Sequence, residues 1–199
     1  MSRLQRLIVA YSRESEGKMT FSIIPYQVIL TLLISVFFHS AATAQLRPMI
    51  YAEETIDVPR LDVWEDWTTE DGITSFMGES ATIEMRPGGA YNIIFDPEAP
   101  IGSQGNDYGQ VIGFQFENML SVTWSMPPSM PKIRPHLTAL QLEFKRIDDN
   151  KTRLRLFHTG FGDTVAWDEG ITYYQDVWPA ILSKYKVTAE AEYEKTNKK

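Results

Sequence analysis

The feature that most constrains the fold is the segment 167–187, near the C-terminus. At helical spacing its large apolar side chains fall within an arc of about 140°, and most of its polar side chains fall outside that arc. The apolar residues are Trp167, Ile171, Tyr174, Val177, Trp178, Ile181, Leu182 and Tyr185. This pattern predicts one long helix with an aromatic-rich face, and that face must be covered by the rest of the chain.

The chain before this segment consists mainly of short runs in which apolar and polar residues alternate. The alternation predicts seven strands, at 49–58, 81–86, 90–95, 108–116, 120–126, 137–147 and 152–161. Two short helices are predicted after the first strand, at 61–68 and around 73–77. Because no helix separates the later strands, a parallel Rossmann-type sheet is excluded. The sequence therefore predicts an α+β domain in which a curved antiparallel sheet of about six or seven strands wraps around the C-terminal helix.

Residues 1–44 have the pattern of an export signal. A mainly apolar run at 21–38 is followed by the small-x-small pattern at 42–44, which signal peptidase reads before Gln45. The basic flank consists of Arg3, Arg6, Arg13 and Lys18. An uncleaved membrane anchor is the alternative, because 18 residues lie at the lower limit for spanning a bilayer. We predict cleavage near Ala44, an exported (periplasmic or secreted) domain at 45–187, and a charged flexible tail at 188–199.

The composition of the remaining 155 residues limits the possible partners. They contain 15 Lys and Arg against 24 Asp and Glu, a formal charge of −9. Such an acidic balance argues against nucleic acid or an anionic membrane as a partner. The chain has no cysteine, which excludes disulfides and thiolate chemistry. A domain of this size can maintain a core without them.

An ordered set of short motifs resembles one known family. The motifs are Val58-Pro59, Val63-Trp64, Trp67-Thr68, IEMRPGGAY at 83–91, GQV at 109–111, VTW at 122–124 and LRLFHTGF at 154–161. Together they resemble the family named after the activator of the Hsp90 ATPase, within the START-like (SRPBCC) superfamily that also contains polyketide cyclases. The resemblance implies a helix-grip fold with a cavity of ligand size between the sheet and the last helix. It does not transfer Hsp90 activation, because an export signal is unexpected for a relative of a cytosolic protein.

The predicted cavity would be lined by side chains from the strands and from the last helix. Such pockets are mostly apolar with a few polar anchors. We predict that a small apolar or amphipathic molecule binds there. The candidate ligand-binding residues are Tyr91, Trp124, Met126, Leu142, Phe144, His158, Tyr174, Trp178 and Ile181. The alternative is that the same residues form a filled core.

His158 is the candidate for chemistry, because it shares a strand face with Leu154 and Leu156 and should point to the interior. A half-buried histidine could act as a general base in a cyclase- or hydrolase-like enzyme. Alternatively it is a structural histidine, hydrogen-bonded to a backbone carbonyl or to a tyrosine. Neither His136 nor His158 is spaced with a carboxylate as metal ligands are, so no metal or cofactor is predicted.

A proline-rich loop at 127–135 supplies a third hypothesis. The loop and its start carry Met126, Met130 and Ile133 among four prolines, which would place apolar side chains near the surface. Such a loop could be a protein-interaction surface or a lid over the cavity. The alternative is an ordered loop that covers the edge of the core.

Overall fold

The computed structural model describes residues 10–13, 19–22 and 47–197. The chain divides into two compact units, Met1–Gln45 and Leu46–Lys199. In the first unit, strands β1 (Ala10–Arg13) and β2 (Met19–Ser22) pair antiparallel. Most of the predicted signal peptide, including its cleavage pattern at 42–44, lies outside the described residues. Within the described part of the chain, no helix is long and apolar enough to cross a membrane.

The second unit contains all seven strands that the alternation predicts. They are β3 (Ile50–Ile56), β4 (Ser80–Ile83), β5 (Tyr91–Ile94), β6 (Val111–Gln115), β7 (Met119–Trp124), β8 (Thr138–Asp148) and β9 (Lys151–Thr159). Five of them form an antiparallel sheet in the order β3-β9-β8-β7-β6, and β4 pairs with β5. An isolated β-bridge pairs Ala90, the residue before β5, with Gln110, the residue before β6.

Three helices lie in the described part of the second unit: α1 (Arg60–Thr68), α2 (Glu70–Phe76) and α3 (Val165–Asn197). The first two follow β3 as the sequence predicts, and the Thr69 hydroxyl caps α2 by accepting from the Gly72 amide at 3.1 Å. Helix α3 has 33 residues and continues ten residues beyond the predicted end at Val187. Residues 188–197, predicted as a flexible tail, are helical, and Ala189 is buried.

The face of the sheet that α3 covers is formed by rows of cross-strand neighbours. One row places Leu120 beside Leu142 and Leu142 beside Leu156. The next row places Leu140 beside His158, with Ile50 on the other side of His158. All of these side chains are at most 3% exposed. Since side chains alternate between faces along a strand, the position of His158 follows from that of Leu154 and Leu156, as predicted.

Two long loops are joined by the side chain of Arg134. Its guanidinium contacts Asp107 at 2.5 Å and donates to the carbonyls of Gly102 at 2.7 Å and Gly105 at 3.0 Å, all in one loop. It also donates to the carbonyl of Met126, at the start of the proline-rich loop. The side chains of Arg134 and Asp107 are only 11% and 9% exposed. The pair therefore fixes the proline-rich loop against the loop that follows β5.

The apolar side chains of the proline-rich loop point inward, so the prediction that they lie near the surface is wrong. Met126 is fully buried, Ile133 is 3% exposed, and Met130 is half-buried against the same core. The reason is Gly170 on α3, whose missing side chain leaves room for them. A Cβ atom built at Gly170 would lie 3.1 Å from Ile133 Cδ1 and 3.2 Å from Met126 Sδ. The loop thus covers the edge of the core, which is the alternative that the sequence left open.

Helix α1 is attached to α3 by a polar contact inside an aromatic cluster. The Tyr185 hydroxyl donates to Asp66 Oδ2 at 2.9 Å, beside the rings of Trp67 and Phe76. Burial raises the pKa of the Asp66 carboxyl to about 6, although the hydrogen bond from Tyr185 opposes this shift. The ionised carboxylate is therefore an unfavourable feature of the native state at neutral pH.

Replacing Arg134 by Met should destabilise the second unit by about 3–5 kcal/mol, because it leaves the buried Asp107 carboxylate without its cation. Arg86→Met is the matched control, since Arg86 pairs with Glu84 on the surface, where both side chains are at least half exposed. We expect the control to cost about 1 kcal/mol or less. Urea unfolding measures both, and equal losses would contradict the role assigned to Arg134.

Asp66→Asn should stabilise the protein at pH 8 by on the order of 1–2 kcal/mol. The native pKa of about 6 exceeds the reference value of 3.8, so the contribution of Asp66 to stability is present below about pH 4 and is lost as the pH rises through 6. The advantage of the variant should therefore shrink as the pH falls from 7 to 4. Thermal or urea unfolding across this range tests it, with Asp176→Asn on the exposed face of α3 as control. A constant difference at all pH values would contradict the argument.

Candidate functional site

A partly open groove of about 270 Å³ lies at one edge of α3. One wall is the helix itself, and the other is formed by the end of β7 and by the two loops that Arg134 joins. Its lining comprises Phe95, Gly105, Asn106, Trp124, Ser125, Met126, Pro127, Pro128, Arg134, Tyr173, Tyr174, Val177, Trp178 and Ile181. Phe95 and Tyr173 are 43% and 39% exposed, and Trp124 and Trp178 are buried. The groove therefore runs from an aromatic rim to an aromatic floor.

The floor is held rigid by hydrogen bonds between side chains of the sheet and of α3. Trp124 Nε1 donates to the Tyr174 hydroxyl at 3.1 Å, and that hydroxyl donates to the Ser125 carbonyl at 2.7 Å. The Tyr174 and Trp178 rings are stacked, with centroids 5.4 Å apart and planes 14° from parallel. Burial is the main reason that the pKa of Tyr174 is raised, so its hydroxyl keeps its proton. The floor is neutral and apolar.

His158 lies behind this floor and has no contact with the groove. Trp178 Nε1 donates to His158 Nδ1 at 2.9 Å, and since the indole N–H can only donate, Nδ1 accepts. His158 Nε2 then carries the ring proton and donates to the Thr138 hydroxyl at 2.6 Å, which donates to the Trp124 carbonyl. Burial lowers the pKa of His158 to about 3. The imidazole is neutral at physiological pH, and both of its nitrogens are engaged.

The structure brings together five of the nine predicted ligand-binding residues. Trp124, Met126, Tyr174, Trp178 and Ile181 line the groove. Tyr91, Leu142, Phe144 and His158 do not line it and are buried in the core. The Tyr91 hydroxyl, for example, donates to the Trp67 carbonyl at 2.9 Å. The predicted residues that line the groove thus lie at one edge of the helix, and the other four belong to the buried core.

Sequence reasoning missed nine lining residues, most of them in loops. They are Phe95, Gly105, Asn106, Ser125, Pro127, Pro128 and Arg134 from the loops, and Tyr173 and Val177 from α3. Asn106 is 1% exposed and supports the lining from behind. Its amide nitrogen donates to the carbonyls of Tyr91 and Thr123, and its Oδ1 accepts from the Ser125 amide at 2.7 Å. Polar residues in loops of this kind carry no periodicity. The only available signal was an arginine in one proline-containing loop and an aspartate in the other.

A second cavity of about 360 Å³ lies on the other side of Arg134 and is more open to solvent. It shares Ser125, Pro128 and Arg134 with the groove, and its other lining comes from the same two loops and from Leu137. Tyr108 lines one side of this cavity, with a backbone φ of 61° and a side chain that is 67% exposed. In the described part of the chain, no group of three or more His, Asp or Glu side chains is placed to hold a metal ion.

The comparisons with known proteins agree with this geometry. Residues 57–190 match the family described as "Activator of Hsp90 ATPase homolog 1-like protein". A Mesorhizobium loti protein has a similar structure, with a TM-score of 0.57 and 17% identity over 72% of this chain and 98% of that one. No curated protein sequence matches the chain.

Two further solved structures carry descriptive names. An HSP90 activator from Plasmodium falciparum gives a TM-score of 0.52 at 15% identity, over 70% of this chain and 94% of that one. An AHSA1-like protein from Rhizobium etli gives 0.51 at 19% identity, over 72% and 82%. At these identities the likeness shows a common helix-grip fold. By its sequence match and its fold, the chain belongs to the family of Activator of Hsp90 ATPase homolog 1-like proteins, within the START-like superfamily.

Proposed function

We propose that this domain binds a small apolar or amphipathic molecule in the groove between α3 and the loops joined by Arg134. The observation that carries the proposal is the groove itself, a concave space of about 270 Å³ whose floor is Trp124, Tyr174 and Trp178. An apolar lining with a few fixed polar groups is typical of small-molecule sites. Because internal hydrogen bonds hold the floor, a ligand would enter a preformed surface and lose little affinity to reorganisation.

An enzyme that uses His158 is the alternative from another class. A general base needs a free lone pair within reach of its substrate. The Nδ1 lone pair of His158 accepts from Trp178, the residue is fully buried, and it does not line the groove. These facts favour a structural role, in which the imidazole joins α3 to β8 through Thr138. They support binding rather than acid–base catalysis by His158.

A protein-interaction surface on the proline-rich loop has less support than ligand binding. Of the apolar side chains that would have formed it, Met126 and Ile133 are buried against α3, and Met130 is half-buried against the same core. The Plasmodium falciparum protein is described as an HSP90 activator, but that description belongs to a protein only 15% identical to this chain. A protein partner on another surface is compatible with the family and is independent of the groove.

Native mass spectrometry of the protein purified gently from its source should show a stoichiometric extra mass of a few hundred daltons, the size that such a groove accepts. Val177→Trp should abolish the extra mass, because it places an indole in the groove. Val187→Trp is the matched control, since Val187 is on the same helix, 68% exposed and outside the lining. A bare mass that also persists after incubation with a lipid and metabolite extract would contradict ligand binding.

We further propose that the domain is exported and acts outside the cytoplasm. The support is the sequence pattern of residues 1–44, a basic flank and apolar run ending in Ala42-Thr43-Ala44. N-terminal sequencing of the protein from the exported fraction should give Gln45 as the first residue. A protein that retains residues 1–44 and sediments with membranes would contradict cleavage and favour the anchor.

A further inference from the structure

We infer that the molecule bound in this groove is uncharged, with an apolar body and a hydroxyl or carbonyl, if it has a polar group, at the end beside Tyr173. The inference rests on the proposed function and names the chemical class of the ligand. Each polar side chain in the described lining already has a hydrogen-bond partner within the protein, except Tyr173 at the rim.

The uncharged polar groups of the floor are committed to internal hydrogen bonds. The indole nitrogens of Trp124 and Trp178 donate to Tyr174 and His158. The Asn106 amide donates to two backbone carbonyls and accepts from the Ser125 amide, and the Ser125 hydroxyl donates to the Asp107 carbonyl. A ligand could hydrogen-bond to one of these groups only by breaking an internal hydrogen bond of the protein. The former protein partner would then be left buried without a hydrogen bond, which is unfavourable.

Arg134 is the single charged residue in the described lining, and its charge is neutralised. Asp107 lies 2.5 Å from Nη2, and each guanidinium nitrogen already donates to a protein oxygen. An anionic ligand at Arg134 would compete with Asp107 and be repelled by it. A cationic ligand would meet the guanidinium. A cationic group would lose its hydration without gaining a partner. An anionic group would gain at most the remaining N–H of Nη1 while the Asp107 carboxylate repels it, so a charge of either sign is costly to bind.

Tyr173 provides the exception. Its hydroxyl has no hydrogen-bond partner in the described part of the chain, and the residue lines the groove while 39% exposed. Its ring packs edge-on against Tyr174, with centroids 5.0 Å apart, so the hydroxyl sits on a fixed support. A hydroxyl or carbonyl on the ligand can pair with it at the rim without being desolvated completely.

Two fluorescent probes with the same body separate charge from shape. N-phenyl-1-naphthylamine is neutral, and 1-anilinonaphthalene-8-sulfonate adds one sulfonate to the same ring system. We expect the full-length protein to bind the neutral probe with a Kd at least about tenfold lower, because the sulfonate gains no partner in the groove. Val177→Trp should remove this binding, and Val187→Trp should keep it.

The outcomes separate the inference from the proposed function. If the sulfonate probe binds as tightly as the neutral probe or tighter, and Val177→Trp removes that binding, the groove accepts anions and the inference is overturned while ligand binding stands. If neither probe binds a folded protein, the proposed function fails, and the inference fails with it. Circular dichroism of each variant confirms that a loss of binding is not a loss of fold.

A second variant tests the role given to the ion pair. Asp107→Asn keeps the shape of the side chain and removes its charge, so the Arg134 charge is no longer neutralised. The affinity of the sulfonate probe relative to that of the neutral probe should then rise at least about threefold, and the neutral probe reports any change in the wall that the pair holds. Unchanged selectivity in a folded Asp107→Asn protein would overturn the inference that this pair excludes anions.

Discussion

The contact on which the rest of the structure depends is the attachment of α3 to the sheet through Trp178. Its indole is fully buried, packs against Trp124 with centroids 5.1 Å apart, and donates to His158. His158 in turn donates to the Thr138 hydroxyl on β8, and that hydroxyl donates to the Trp124 carbonyl on β7. One helix is thereby fixed to three strands by both apolar contact and directed bonds. Hydrogen bonds fix the rotation of the helix about its axis and its position over the sheet, because they require a particular geometry that apolar contacts do not require.

This attachment explains why the space beneath α3 is a groove at one edge rather than a large cavity. Around Tyr185 the aromatic face of the helix is covered by Trp67 of α1 and Phe76 of α2. Toward the loops the packing is incomplete, and the Arg134–Asp107 pair holds the opposite wall in place. The size and polarity of the groove therefore follow from these side chains and loops, and the fold shared with proteins of low identity does not by itself determine them.

The architecture was predictable from the sequence because it depends on periodic patterns. The arc from Trp167 to Tyr185 predicted the helix, alternation predicted the seven strands, and the position of Leu154 and Leu156 predicted that His158 is interior. The site was only partly predictable. Most of its helix and strand residues belong to these patterns, but Tyr173 lies outside the predicted apolar arc, and Asn106 and Arg134 come from loops that meet only in three dimensions. The partners of His158 were missed for a different reason: Thr138 on β8 and Trp178 on α3 each lie 20 residues away in sequence, and periodicity does not show which side chains of two elements meet.

The most direct test of a ligand site in this groove is a two-dimensional NMR spectrum of the ¹⁵N-labelled tryptophan side chains, recorded with and without N-phenyl-1-naphthylamine. The protein has five tryptophans, and each indole N–H gives its own signal. Trp124 and Trp178 line the groove. Trp64 and Trp67 are buried residues of α1 and do not line it. Our account predicts that the probe shifts the Trp124 and Trp178 signals and leaves those of Trp64 and Trp67 in place. Shifts at Trp64 and Trp67 alone, or no shift at any tryptophan, would contradict it.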